Sequence, residues 1–162
     1  MNEINKIKLN KDEVVETIKK VVSFMNVDCQ IELKEEPADV RKENAAVISI
    51  QTPANASFLI GKNGQNLKAL EHVLRAMLVK EGVDGTIVID INDYRKSRAD
   101  YLIDVARQAV MRVRNTQKAE ALFPMSAYER RIVHMELAAH PDISTESIGS
   151  EPQRRVIIKP YP

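Results

Sequence analysis

Phe58-Leu59-Ile60-Gly61-Lys62-Asn63-Gly64-Gln65-Asn66-Leu67-Lys68-Ala69-Leu70 places two of the chain's five glycines three residues apart. An apolar run leads into them, and an apolar-periodic segment follows at once. One glycine suffices for a turn, so the pair asks for a second reason. Without a Cβ, each glycine can take positive φ and lets another backbone approach closely. The second stands where a helix begins, and helix starts turn unpaired N–H groups and a positive dipole end outward. Phosphates suit such a place, and Lys62 adds a cation. The plain alternative is a tight helix–helix turn with no ligand.

Outward from this stretch, the chain reads as alternating helices and short strands. Upstream, Asn10 and Glu13 look like a helix N-cap with its acidic N3 residue. Val14, Val15, Ile18, Val21, Val22 and Met25 then recur at helical spacing. Ile31 and Leu33 alternate with Glu32 and Lys34 as a half-buried strand. Glu35 to Asn44 is a polar connection, Ala45 to Ile50 the second strand of a hairpin, and Ala54 to Ile60 a short helix. Downstream, Leu67, Leu70, Leu74 and Leu78 mark a longer helix closed near Gly82. Gly85 supplies the turn before a β-branched strand, Thr86 to Ile91. One amphipathic sheet with helices on one face would bury all these stripes together.

From Asp93 the texture changes. A helix is expected to about Gln117, with Leu102, Val105, Ala109 and Val113 on one side and Lys96, Arg107, Arg114 and Lys118 roughly opposite. Pro124 breaks the chain. Ser126 and Glu129 form a capping box for a further helix that ends before Pro141. Ile143 to Ile148 and Arg154 to Ile158 read as two strands joined by Gly149-Ser150-Glu151-Pro152. The fold class is therefore α+β in two small domains, residues 1–92 and 93–162, and the family resemblances drawn below imply for each a three-stranded sheet with helices packed on it. No Gly/Ser-rich or Pro-rich spacer separates them, so a stiff junction is expected.

Composition excludes several classes. At 162 residues, 44% hydrophobic and 29% charged, the chain can build real cores. No stretch approaches the roughly 20 apolar residues of a membrane span, and the N-terminus has no apolar signal core. The single cysteine, Cys29, has no internal disulfide partner. An intracellular, cytoplasmic compartment follows as the expectation. The net charge of +1 does not announce a nucleic-acid partner. Residues 1–60 hold 8 Lys/Arg against 10 Asp/Glu, and residues 61–162 hold 16 against 13, a mild asymmetry.

The strand–helix–GxxG–helix–strand order resembles a KH domain of the prokaryotic (type II) kind, over about residues 10–92. The resemblance implies that Gly61, Lys62, Asn63 and Gly64 grip the backbone of a single strand. Bases would lie in an apolar groove walled by the Ala54–Ile60 helix, the Leu67 helix and a sheet edge. Many KH loops carry a second basic residue where this chain has neutral Asn63, which implies a weaker cationic grip. Further on, Arg130 and His134 stand four apart on one helix face, where guanidinium and imidazole can meet one phosphate. With the basic helix before them, Leu122-Phe123-Pro124-Met125-Ser126 leading in and Glu151 to Ile158 closing, they resemble an R-x-x-x-H (R-3-H) domain. Arg131 joins them as a candidate nucleic-acid contact.

A KH domain followed by an R-x-x-x-H domain is similar to the bacterial Jag family, also called SpoIIIJ-associated or KhpB proteins. Tyr94-Arg95 with Arg98, Ala121 to Met125, Glu129-Arg130-Arg131 and Val133-His134 all match its second half. Many members begin with a separate Jag domain. Here the first KH helix begins almost at Met1, so the resemblance is to a short form, and roles of that domain are not carried over. The resemblance implies single-stranded RNA (or single-stranded DNA) as ligand, a small single-KH protein as partner, no cofactor and no membrane insertion. It also implies post-transcriptional regulation touching cell elongation or envelope growth.

Two rival classes are open. A metal-dependent nuclease wants clustered carboxylates, and Asp90, Asp93 and Asp100 straddle a strand end and a helix start, as surface and capping residues do. Cys29 has no evident His partner and reads as a small buried thiol. His72 sits on a solvated edge, and His140 ends a helix. No catalytic set emerges. The third class is a protein-interaction module that uses a KH surface.

Overall fold

The computed structural model describes residues 11–34, 45–80 and 86–161. Expectations placed on Asn10, on Glu35 to Asn44, and on Gly82 and Gly85 fall outside these residues. The chain divides into two compact units, residues 1–94 and 95–162.

In the first unit the order is α1 (Lys11–Phe24), β1 (Gln30–Lys34), β2 (Ala45–Gln51), α2 (Ala56–Ile60), a single 3-10 turn (Lys62–Gly64), α3 (Gln65–Lys80) and β3 (Thr86–Ile91). β2 is central. It pairs antiparallel with β1, placing Ile31 opposite Ile50, and parallel with β3, placing Ile48 opposite Ile89. A parallel neighbour needs a crossover, which α2 and α3 supply. The helical stripes expected from spacing are buried: Val14, Ile18 and Val22 on α1, and Leu67, Leu70, Leu74 and Leu78 on α3. They meet Ile48 and Ile50 of β2 and Ile87, Ile89 and Ile91 of β3 in one core.

At the strand ends, Thr52 N–H donates to Asn92 Oδ1 at 2.9 Å and Asn92 Nδ2 donates to the Thr52 carbonyl at 2.7 Å. This two-way clasp, made by an asparagine at φ 48°, fastens the end of β2 to the end of β3. Nothing in the local sequence announces it.

α4 (Tyr94–Thr116) carries the chain into the second unit, followed by β4 (Glu120–Ala121), α5 (Ala127–Leu137), β5 (Ile143–Ile148) and β6 (Arg155–Pro160). β6 is central, antiparallel to both β4 and β5. β4 is the strand the sequence did not reveal. Two residues carry no alternation to detect, and the strand exists because Glu120 and Ala121 meet Ile158 and Ile157. The buried face of α4 is Leu102, Ala106, Ala109, Val110 and Val113, with Val105 only half-buried. That stripe is broader than Leu102, Val105, Ala109 and Val113, since Ala106 and Val110 are buried as well. The capping box of α5 is formed: Glu129 N–H donates to Ser126 Oγ, and Ser126 N–H donates to Glu129 Oε2 at 2.7 Å.

Candidate nucleic-acid interface

The glycine pair is explained by two different constraints. Gly61 closes α2 at φ 69°, ψ −176°, a region essentially reserved for glycine. A Cβ there would also stand 2.5 Å from Asn66 Cγ. Asn66 cannot easily yield, because its Nδ2 donates to the Phe58 carbonyl at 2.8 Å and ties the start of α3 to α2. Gly64 sits at φ 77°, and a Cβ on it would lie 3.2 Å from the Tyr94 ring. Between them Asn63 adopts φ 52°, ψ 31°, the left-handed conformation asparagine tolerates best after glycine.

The turn's own bonds run from Gly64 N–H to the Gly61 carbonyl and from Gln65 N–H to the Lys62 carbonyl. The Lys62 and Asn63 amides stand outside that pairing, and both side chains are exposed. Lys62 makes no ion pair among the described residues. An exposed cation, amides outside the turn's pairing and the start of a 16-residue helix therefore coincide. On this geometry Gly64→Asp would do more than repel a phosphate. It would strain the backbone and press on Tyr94, so that variant changes fold and binding together.

The expected groove walls are only partly apolar at the surface. Phe58 on α2 is 57% exposed, whereas Leu59, Leu67 and Leu70 are buried in the core. A cavity of about 630 Å³ lies elsewhere, lined by Asp28, Cys29, Gln30, Gln51, Thr52, Pro53 and Asn92. Cys29 is half-buried there rather than fully enclosed. Burial, reinforced by Asp28 and opposed by Lys19, pushes its thiol up, which disfavours the reactive thiolate.

The second constellation is arranged differently. Arg130 is buried, and its Nη1 donates to the Met125 carbonyl and to Glu151 Oε1, both at 2.8 Å. His134, one turn on, is half-buried with both ring nitrogens engaged, Nδ1 with Thr145 Oγ1 at 2.7 Å and Nε2 with Ser147 Oγ at 2.8 Å. Burial first, and the neighbouring Arg130 charge second, hold this imidazole below its ordinary range. In the neutral ring, one nitrogen donates to a hydroxyl and the other accepts from one. The two residues do share a face, as their spacing requires, yet each already has protein partners. Arg131 is exposed and without an ion pair among the described residues.

The opposite side of α4 is less basic than its sequence. Arg107 pairs with Glu136 at 2.8 Å and Arg114 makes a two-pronged contact with Asp142 at 2.6 and 2.8 Å. Arg112, outside the set picked by spacing, pairs with Glu120. Lys96 and Lys118 are exposed and carry no ion pair among the described residues. Arg114 Nη2 also lies 3.3 Å from His140 Nδ1, and since a guanidinium only donates, that ring nitrogen serves as the acceptor. No group of three or more His, Cys, Asp or Glu side chains among the described residues could hold a metal ion. No described helix is long and apolar enough to cross a membrane.

Residues 100–160 match the R-3-H domain family, so the second unit is the R-x-x-x-H class of small α+β domain. The chain is also 31% identical over 151 residues to the RNA-binding protein KhpB of Clostridium symbiosum, covering 91% of this chain and 65% of that one. It is 34% identical over 110 residues to KhpB of Bacillus subtilis and 35% over 102 residues to KhpB of Lactiplantibacillus plantarum. These alignments cover 66% and 62% of this chain, and 53% and 32% of the relatives. The chain thus spans from 32% to 65% of their length. Its residues 100–160 carry the R-x-x-x-H domain, and over most of its own length the chain is similar to the KhpB proteins.

Proposed function

We propose that this chain binds single-stranded RNA through a KH-type first unit and an R-x-x-x-H second unit, without catalysis or cofactor. The Gly61–Gly64 turn carries the reading. It combines positive-φ backbone, an exposed Lys62 and a helix start, the chemistry that a sugar–phosphate backbone fits. The α-β-β-α-α-β order around it supports the KH assignment, and relatives named RNA-binding proteins support the ligand class. In this reading Lys62 and Asn63 meet the strand directly, and Arg131, exposed and without an ion pair among the described residues, is a candidate phosphate contact of the second unit. Arg130 and His134 hold the fold of the second unit and act on RNA through it. The setting is the cytoplasm, with a role in post-transcriptional control linked to cell elongation or envelope growth.

A short unstructured RNA titrated with the wild-type chain at several salt concentrations tests this. Binding should weaken with salt, with log K falling by roughly 0.7 per phosphate contact for each tenfold rise in salt, and single-stranded DNA in parallel sets the sugar preference. No measurable RNA binding at low salt would end the proposal.

A second reading is pairing with a small single-KH protein. Val73 and Met77, one turn apart on α3, are 48% and 37% exposed and offer an apolar strip for it. Light scattering of the two proteins mixed, with Val73→Lys as control, decides it.

A further inference from the structure

Arg98, Tyr101 and Phe123 form a cluster in the second unit that the RNA-contact residues above leave out. The Tyr101 and Phe123 rings stack with centroids 6.3 Å apart and planes 27° from parallel. The Arg98 guanidinium carbon lies 5.5 Å from the first centroid and 5.4 Å from the second. The three centres make a nearly equilateral triangle, so the cation braces both rings from the side and does not separate them. Arg98 is itself fixed, because its Nε donates at 2.8 Å to Glu129 Oε1, on the carboxylate that also completes the α5 capping box.

Two features remain unexplained by folding alone. Tyr101 is 51% exposed, and no hydrogen bond to its hydroxyl is found among the described residues. Arg98 Nη2 is buried with no hydrogen-bond acceptor, a costly state for a charged donor. A half-exposed aromatic ring beside such a donor is a face on which a flat group can lie with an acceptor directed at the guanidinium. Charge narrows what the acceptor belongs to. Asp104, three residues on, is exposed on the same side of α4 as Tyr101 and opposes a phosphate over the ring. A flat, neutral group with a carbonyl fits both the ring and the guanidinium. Backbone cation is supplied nearby: Arg154, exposed and without an ion pair among the described residues, accepts the Met125 N–H at its carbonyl, two residues from Phe123.

We propose that Tyr101, braced by Phe123 and Arg98, is a stacking platform for one base of a single-stranded RNA. This rests on the RNA-binding reading and adds a base-contacting site to it. Stacking tolerates every base, and a base carbonyl directed at the Arg98 guanidinium would disfavour adenine, the one RNA base without a carbonyl.

The test uses the full chain and two labelled pentamers, one of RNA and one of the same length lacking bases. Tyr101→Ala should weaken RNA binding about tenfold. It should leave the baseless strand and the salt slope unchanged, while Tyr101→Phe keeps wild-type affinity. Tyr101→Leu, which retains apolar packing on Phe123, should behave as alanine does, so a folding defect in the alanine variant does not hide the result. Unchanged RNA affinity in both variants, or equal loss on both strands, overturns the platform and leaves the RNA reading standing. Failure of the wild-type chain to bind either strand overturns both.

Discussion

The Gly61–Gly64 turn and the Arg130–His134 pair are both short motifs with a phosphate-binding chemistry written into their residue types, yet they are built in opposite ways. The turn is made of backbone. Its glycines hold positive φ, its side chains Lys62 and Asn63 are exposed, and its own bonds do not use the Lys62 and Asn63 amides. The pair is made of side chains that the fold has already used: Arg130 closes on Met125 and Glu151, and His134 bridges Thr145 and Ser147. A motif therefore gives the chemistry its residues can do, and burial decides whether that chemistry faces a ligand or the protein. In the first case substituting the exposed side chains should cost binding, in the second substituting the motif residues should cost stability.

Arg130→Ala should produce the largest effect and should produce it in stability. It leaves the Met125 carbonyl unsatisfied in a buried place, and it removes packed methylenes. Glu151, whose side chain is 59% exposed, can resolvate and soften the loss. About 3 kcal/mol in a denaturant titration is expected. A stable variant that binds RNA poorly would reverse the comparison and put the guanidinium on the ligand.

Gly61→Ala follows at about 2 kcal/mol, from a φ of 69° with extended ψ and a Cβ against Asn66. Adding Asn66→Gly should recover the clash but not the backbone strain. Full recovery in the double variant would mean that the φ itself costs little.

Lys62→Glu should leave the melting temperature within a degree or two, since the side chain is exposed and unpaired among the described residues. RNA binding should fall by about 1 kcal/mol or more, with a shallower salt slope. Unchanged affinity would reduce the turn to a connector and remove the contrast between the two motifs.

The smallest effect concerns pH. His134 is held below its ordinary range in the folded chain, so the unfolded chain takes up the proton first as pH falls. The neutral ring's contribution is present above about 6.5, the unfolded value, and is lost as pH drops from there through the folded pKa. Thermal melts at pH 7.5 and 5.0 should differ more in the wild type than in His134→Gln. Equal differences would show that His134 titrates freely. That outcome would restore the phosphate-facing imidazole, whose RNA binding strengthens as pH falls.

What the sequence determined by itself is whatever depends on local period and backbone chemistry. Leucines spaced 3 and 4 apart on α3, alternation in β1, the Ser126–Glu129 capping box and the glycine turn were all legible, because each is a relation among residues a few positions apart. The α-β-β-α-α-β order and the R-x-x-x-H half followed from them. Tertiary structure decided everything that needs a partner far along the chain. The two-residue strand β4 exists only by pairing with β6, and the Thr52–Asn92 clasp joins residues 40 apart. The pairing of Arg107 and Arg114 with Glu136 and Asp142 neutralised a helix face that its own letters made basic. The partners of Arg130 lie 5 and 21 residues away and those of His134 11 and 13. Charge and hydrogen-bonding capacity are fixed by residue type. Whether they are spent inside the protein or left for a ligand is fixed by what the fold packs beside them.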